Sequence, residues 1–309
     1  MDKQYAMVFP GQGSQSVGMV AGLAEMSDQV QPLFEQASEI LGYDLWQLVS
    51  NGPEEQLNQT EKTQPALLTA GIATWQAWQS KTEAMPEVVA GHSLGEYTAL
   101  VAAGVMSFED AVTLVAVRGQ CMQRAVPEGI GAMAAVLGLE DDKVEQVCKA
   151  AANDQIVSAA NFNSPGQVVI AGHKEAVERA VEAAKEAGSK RAILLPVSVP
   201  SHCLLMQSAA EHFAAHLEQV VLHEASIPIL QNVDASEKTD AAAIKQGLLE
   251  QLYKPVRWVE LVQAIQQRGI NCIIECGPGK VLSGLNKRID RSIEAHCLQD
   301  QDSFQKALA

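Results

Sequence analysis

Apolar residues recur along this chain in two rhythms, and their order sets the architecture. The run Tyr5 to Phe9 reads as a short buried strand closed by Pro10-Gly11-Gln12-Gly13-Ser14-Gln15. Helical patterns follow around residues 29–41 and 65–80. Glu87-Val88-Val89-Ala90 is a second short strand, and helices are expected near 96–104 and 108–125. Strands alternating with helices predict a mainly parallel sheet covered on both faces.

From about residue 131 the order changes. Ala132 to Leu137 reads as a strand, Asp141 to Ala152 as a helix, and Gln155 to Asn161 as a strand. A turn at Asn163-Ser164-Pro165-Gly166 leads to a strand from Gln167 to Ala171. Lys174 to Ala187 is a helix, and Arg191 to Val199 closes the series as a strand. That order, βαββαβ, is the ferredoxin-like arrangement. It predicts a small subdomain over 129–198, inserted into a discontinuous large subdomain formed by 1–128 and 199–309. The α/β rhythm then resumes. A helix is expected over 203–220, a strand over 228–233, helices over 248–253 and 258–268, a strand over 272–276, and a last helix from 281 to 288.

With 309 residues, 47% hydrophobic and 19% charged, the chain can bury a large core in one large and one smaller unit. No apolar run reaches the length of a membrane span, and the N-terminus runs directly into a strand, so no signal peptide is read. A cytoplasmic location is the expectation. The six cysteines form no C-x-x-C pair and none has zinc-ligand spacing, so free thiols are expected, with no metal site. The net charge is −15, from 22 basic and 37 acidic residues, which argues against nucleic acid and anionic membrane as partners. Basic residues nevertheless gather at Lys190-Arg191 and at Lys280, Lys287, Arg288 and Arg291. Nothing in the pattern demands more than a monomer.

Chemistry concentrates at Gly91-His92-Ser93-Leu94-Gly95, a G-x-S-x-G nucleophile elbow with a strand before it and a helix after it. Ser93 needs a base, because a free hydroxyl is weakly nucleophilic at neutral pH. Of the seven histidines, His202 stands where the insert returns to the main sheet, facing a cleft between subdomains. His92 is turned away from the serine beside it. His212 and His216 are spaced i, i+4 but lack a third ligand. No acidic residue stands out to orient the base; Asp234, a backbone carbonyl or an amide side chain all remain open. The oxyanion donors expected are the N–H of Leu94 and, from the loop Gly11-Gln12-Gly13, that of Gln12. Arg118 lies in an apolar helical run where an unpaired charge is costly. It either forms a structural salt bridge or waits for a substrate carboxylate.

Together these residues resemble the malonyl-CoA:acyl-carrier-protein transacylases of bacterial fatty acid synthesis. The resemblance rests on Phe9-Pro10-Gly11-Gln12-Gly13-Ser14-Gln15, Gly91 to Tyr97, Arg118-Gly119, Gly131-Ala132-Met133, Asn161 to Gln167, Pro200-Ser201-His202, Asn232-Val233-Asp234, Gln251-Leu252 and Glu275-Cys276-Gly277-Pro278-Gly279. These follow the family's order over nearly the whole chain. The resemblance implies an α/β-hydrolase-like, mainly parallel sheet with the ferredoxin-like insert. It implies that Ser93 is acylated, that His202 is base and acid, and that Gln251 orients it through a backbone carbonyl. Gln12 and Leu94 would hold the oxyanion, Arg118 the malonyl carboxylate, and Met122, Asn161 and Ser201 would line the acyl pocket. Malonyl-CoA and CoA enter as substrate and product, with no cofactor. The acidic acyl carrier protein is the implied partner, and Lys190, Arg191, Lys287 and Arg288 are its docking candidates. Three other readings stand beside this one. A serine esterase or thioesterase would use Ser93 and His202 but need neither Arg118 nor a carrier surface. A malonyl-loading component of polyketide synthesis would share the chemistry with a different carrier. A non-catalytic acyl-binding protein would keep only a vestigial elbow.

Overall fold

The structure is a computed structural model that describes residues 3–197 and 199–309. Its strands in chain order are β1 (Tyr5–Phe9), β2 (Val88–Gly91), β3 (Gly131–Leu137), β4 (Val157–Ser164), β5 (Gln167–His173) and β6 (Arg191–Leu194). After these come β7 (Ile229–Leu230), β8 (Glu237–Lys238), β9 (Cys272–Cys276) and β10 (Glu294–Leu298). They build two sheets. The larger has the order β10-β9-β1-β2-β7-β8 and is parallel apart from the short β8. The smaller, β4-β5-β3-β6, is antiparallel. It lies wholly within 131–194, in the strand order of a ferredoxin-like βαββαβ unit.

All five residues of β1 are buried, because both faces of the large sheet are covered. Tyr5, Met7 and Phe9 face a core shared with the helices Thr60–Gln79 and Phe108–Ala125. Ala6 and Val8 face the opposite core, with Trp258, Leu261, Val262 and Ile265 of the helix Trp258–Gln267. The small sheet has its own core, where Val144, Val147, Cys148 and Ala151 meet Val177, Ala180, Val181 and Ala184 from a second helix. The separate core of the small sheet leaves a seam between the sheets. Across it β4 packs on the helices Trp258–Gln267 and Val281–Ile289, and Val256 exchanges backbone hydrogen bonds with Ala160 and Phe162. No helix among the described residues is long and apolar enough to cross a membrane.

Several expected elements shift. Strand 191–199 ends at Leu194, and Ser198 lies outside the described residues. Strand 228–233 shrinks to Ile229–Leu230, because Gln231 and Asn232 turn their polar groups inward to a buried carboxylate. The helix expected over 248–253 starts earlier, at Ala241 with Asp240 as its cap, and ends at Gln251. Its first turn is alanines, which carry little of the large-apolar period that marks an amphipathic helix. β8, β10 and the closing helix Gln301–Leu308 lie outside the expected set.

Register places the site. Phe9 pairs with Gly91, so the loop after β1 and the turn after β2 emerge side by side at the carboxyl ends of the parallel strands, where α/β sheets bind ligands. The loop after β9 joins them, since Gly277 packs on Pro10 and Gly279 on Ser14. Such backbone contacts leave no room for side chains. A Cβ on Gly95 would lie 2.0 Å from the Phe9 carbonyl oxygen, and one on Gly91 would lie 1.8 Å from the Gly95 carbonyl carbon. Gly95→Ala is therefore expected to cost about 3 kcal/mol or more of stability through overpacking. A thermal unfolding curve checks this, and a melting temperature within a degree or two of the parent's contradicts it.

Candidate active site

Ser93 sits between β2 and the helix Gly95–Ala102 with φ of 51°, a left-handed backbone that a serine adopts only under external constraint. Asn232 supplies that constraint. Its Oδ1 accepts the Ser93 N–H at 2.7 Å, and its Nδ2 donates to the Gly91 carbonyl at 2.6 Å. The turn thus aims Ser93 Oγ out of the sheet.

His202 Nε2 stands 2.8 Å from Ser93 Oγ, and His202 Nδ1 lies 2.7 Å from the Gln251 backbone oxygen. The carbonyl can only accept, so Nδ1 carries the proton and Nε2 is left free to take one from the serine. The His202 backbone N–H donates to the Leu252 carbonyl, tying the residue to the end of the helix Ala241–Gln251. His202 itself has φ of 62°, a second strained residue at this site. Burial, with the Arg118 cation adding to it, pushes its pKa down to about 3, so the imidazole is a neutral base at pH 7. The alternative of an orienting Asp234 is set aside by geometry: its carboxylate is paired at the surface with Lys238 at 2.7 Å.

Arg118 is 1% exposed, and no carboxylate forms an ion pair with it among the described residues. Amides hold it instead. One terminal nitrogen donates to Gln64 Oε1 at 2.8 Å, and the other to Gln251 Oε1 at 2.8 Å and Ser93 Oγ at 3.3 Å. Its Nε is buried without a partner among the described residues. Arg118 reaches this place because Gly119 beside it lets two helices touch, a Cβ there lying 2.7 Å from Glu61 Cα. Desolvation lowers the guanidinium pKa, and the nearby Tyr97 and Glu96 oppose that. The outcome is a buried cation beside the nucleophile with donor capacity to spare, which suits an anionic acyl group.

Behind the elbow lies Glu96, fully buried. Its carboxylate accepts from the Asn232 N–H at 2.8 Å and from the side-chain amides of Gln251 and Gln231, both at 3.0 Å. Desolvation raises its pKa to about 7 against those bonds.

The other expected residues fall as follows. Leu94 caps the helix Gly95–Ala102 next to Ser93. The loop bearing Gln12 lies against the elbow, because a Cβ on Gly11 would be 2.3 Å from the His92 carbonyl oxygen. The Gln12 side chain is turned toward Thr60 Oγ1 at 3.4 Å. Met122 Sδ accepts from Gln64 at 3.6 Å, one helical turn from Arg118. Asn161 is buried on β4 at the seam and Ser201 is half-buried beside His202. His92 turns away from Ser93, as expected, and its Nε2 meets Asn163 Oδ1 across the seam at 2.9 Å. Lys190, Arg191, Lys287 and Arg288 are exposed. Lys190 covers Gly138, Gly138 donates to the Gly166 carbonyl, and Arg288 bonds the neighbouring Gln167. Lys190, Arg191 and Arg288 thus collect at the end of the small sheet that holds Asn163.

Gln64, Glu96 and Asn232 carry no role in the sequence reading. For Glu96 the signal was present, since a carboxylate within Tyr97-Thr98-Ala99-Leu100 is as costly to bury as Arg118. Gln64 gave none. His212 and His216 lie on the surface helix Gln207–Leu217, where His212 bonds the Ser208 carbonyl. Among the described residues only Cys272, Glu294 and His296 gather as metal-ligating groups. Cys272 opens β9 at the end of the sheet opposite the elbow, and Lys3 holds the Glu294 carboxylate at 3.1 Å.

The sequence pattern of the acyl transferase domain matches residues 6–295. The malonyl CoA-acyl carrier protein transacylase of Salmonella typhimurium is 54% identical over 305 residues, covering 99% of both chains. That of Staphylococcus aureus is 43% identical over 295 residues, 95% of each. Among solved structures, an acyl carrier protein S-malonyltransferase from Vibrio cholerae superposes with a TM-score of 0.96 at 54% identity, covering 98% of this chain and 99% of its own. A malonyl-transacylase in complex with its type II PKS acyl-carrier protein gives 0.98 at 53% identity, covering 99% of both. The chain aligns with these enzymes over nearly its whole length, and it belongs to the acyl transferase domain family.

Proposed function

We propose that this enzyme moves a malonyl group from malonyl-CoA to the pantetheine thiol of acyl carrier protein, through a malonyl ester on Ser93. The observation that carries this reading is Arg118, a buried cation with no carboxylate partner among the described residues and a terminal nitrogen 3.3 Å from the nucleophile. A hydrolase of simple acyl esters has no use for such a charge. An acyl group bearing its own carboxylate matches it with two parallel hydrogen bonds.

Catalysis follows from the geometry. His202 takes the Ser93 proton at Nε2 as Oγ attacks the thioester carbonyl. The N–H groups of Leu94 and Gln12 receive the oxyanion. The tetrahedral adduct collapses, the C–S bond breaks, and His202 returns the proton to the CoA sulfur. The carrier's thiol then gives its proton to His202, attacks the malonyl ester, and Ser93 leaves with that proton restored. A thiol is a good leaving group, so the base can be steadied by the Gln251 carbonyl where a harder amide-cleaving reaction uses a carboxylate. Met122, Asn161 and Ser201 line the acyl pocket in this reading. The chemistry calls for no cofactor. The insert read over 129–198 would be the second wall of the cleft, and the separate core between Ala134 and Ala192 supports treating it as a subdomain. The carrier serves fatty acid synthesis, and the likeness to a transacylase bound to a polyketide carrier favours the same chemistry on either kind of carrier. Six free cysteines fit a reducing, cytoplasmic location.

Arg118→Ala removes about two charge-assisted bonds, so malonylation of Ser93 is expected to slow about 100-fold or more, while acetyl-CoA gains ground relative to malonyl-CoA. Intact-mass spectrometry of the acyl-enzyme reads both, and an adduct on wild type that fails to move to holo carrier protein overturns the transferase reading. Because the His202 pKa lies below the ordinary 6.5, its basic form persists on acidification. The acylation rate is therefore expected not to fall between about pH 8 and about pH 5.5; a falling limb near 6.5 contradicts this. Charge reversal at Lys287 and Arg288 is expected to raise KM for the carrier protein several-fold and to spare the malonyl-CoA half-reaction. Unchanged carrier kinetics remove that surface from the docking site.

A further inference from the structure

We infer that Glu96 is the buried counter-charge of Arg118, acting through the Gln251 amide, and that it sets how strongly the site prefers an anionic acyl group over a neutral one. This rests on the malonyl-transfer reading above and extends it to a residue outside the reacting atoms.

Two opposite charges are buried here without touching. Arg118 donates to Gln251 Oε1 at 2.8 Å, and Gln251 Nε2 donates to Glu96 Oε2 at 3.0 Å. The amide thus accepts from the cation and donates to the anion, and both charges polarise it in one direction. A direct ion pair would hold Arg118 with a resident carboxylate and compete with substrate for its donors. A separated pair relieves part of the cost of burying the charge and leaves the guanidinium open toward Ser93. The same carboxylate holds the elbow, since its bond to the Asn232 N–H seats the residue that clamps Ser93 N–H and the Gly91 carbonyl. Glu96 is therefore a positioning residue by geometry and a tuning residue by charge.

The two roles separate in Glu96→Gln. Two donors face Oε2, while one, Gln231 Nε2, faces Oε1. A glutamine can keep its oxygen on the two-donor side and turn its NH2 to Gln231, whose Oε1 becomes the acceptor when that amide flips and gives up its bond to the Ile244 carbonyl at 3.2 Å. The two bonds that seat Asn232 and Gln251 survive and the charge goes. With its counter-charge removed, Arg118 presents a stronger positive potential to the acyl pocket.

The measurement is the ratio of Ser93 acylation rates with malonyl-CoA and acetyl-CoA, in wild type and Glu96→Gln, with melting temperatures recorded for both. The ratio is expected to rise about three-fold or more in the variant. A purely structural role slows both donors alike, so an unchanged or lower ratio in a folded variant overturns the proposal. Wild type supplies a second test that needs no variant. Arg118 stays charged, Tyr97 is pushed well above its usual range, and His92 and His202 are held neutral by burial, so of the groups facing this cluster Glu96 alone titrates near pH 7. Lowering the pH through 7 neutralises it and should raise the same ratio in the wild-type enzyme; a flat ratio counts against the proposal. A wild type that accepts no malonyl at all fails the earlier reading instead, and the two failures are distinguishable.

Discussion

A serine can be offered to a base at the top of a sheet only if the chain reverses within a few residues, and everything at this site follows from how tightly it does so. Ser93 carries a left-handed backbone that costs about 1–3 kcal/mol. The two hydrogen bonds from Asn232, together with the backbone contact at Gly91 and Gly95, hold it there. Once the turn is set, the helix beginning at Gly95 has one orientation, and Glu96 is forced inward beneath the nucleophile. The loop bearing Gln12 is set by the same contact, because β1 and β2 are in register at Phe9 and Gly91.

Charge is the second organising element. The interior holds a cation, an anion and a neutral imidazole close together, with amides between them in place of ion pairs. Gln251 is the joint of this arrangement. Its side chain links Arg118 to Glu96 and to the Ser93 carbonyl, while its backbone oxygen fixes the His202 tautomer. One residue thereby ties the buried cation to the orientation of the imidazole, in a site with no carboxylate on the histidine. The small sheet enters through Asn163 and His92, so the cleft wall and the elbow are tied by a side-chain contact.

Much of this was legible in the chain. The elbow, the histidine at the return of the insert and the arginine in an apolar helix were each visible, because each violates a local rule for a reason that chemistry supplies. The βαββαβ order was legible because its strands and helices carry clean periods. Asp234 illustrates the limit: a carboxylate in a suitable stretch turned out to pair with Lys238 on the surface. Only geometry separates a carbonyl from a carboxylate as the partner of His202.

By itself, then, the sequence determined the alternation of elements, the turn that exposes Ser93 and the presence of a costly buried cation. These are local properties, set by period, by glycines at fixed offsets and by the price of desolvation. Tertiary structure alone decided which partner each buried polar group received. Gln64, Glu96, Asn232 and Gln251 come from four separate stretches of chain, and their hydrogen bonds depend on helix crossings at Gly119 and on the early end of β7. Such pairings leave no periodic trace, because a hydrogen bond needs two groups within 3 Å in space and sets no condition on their separation in sequence.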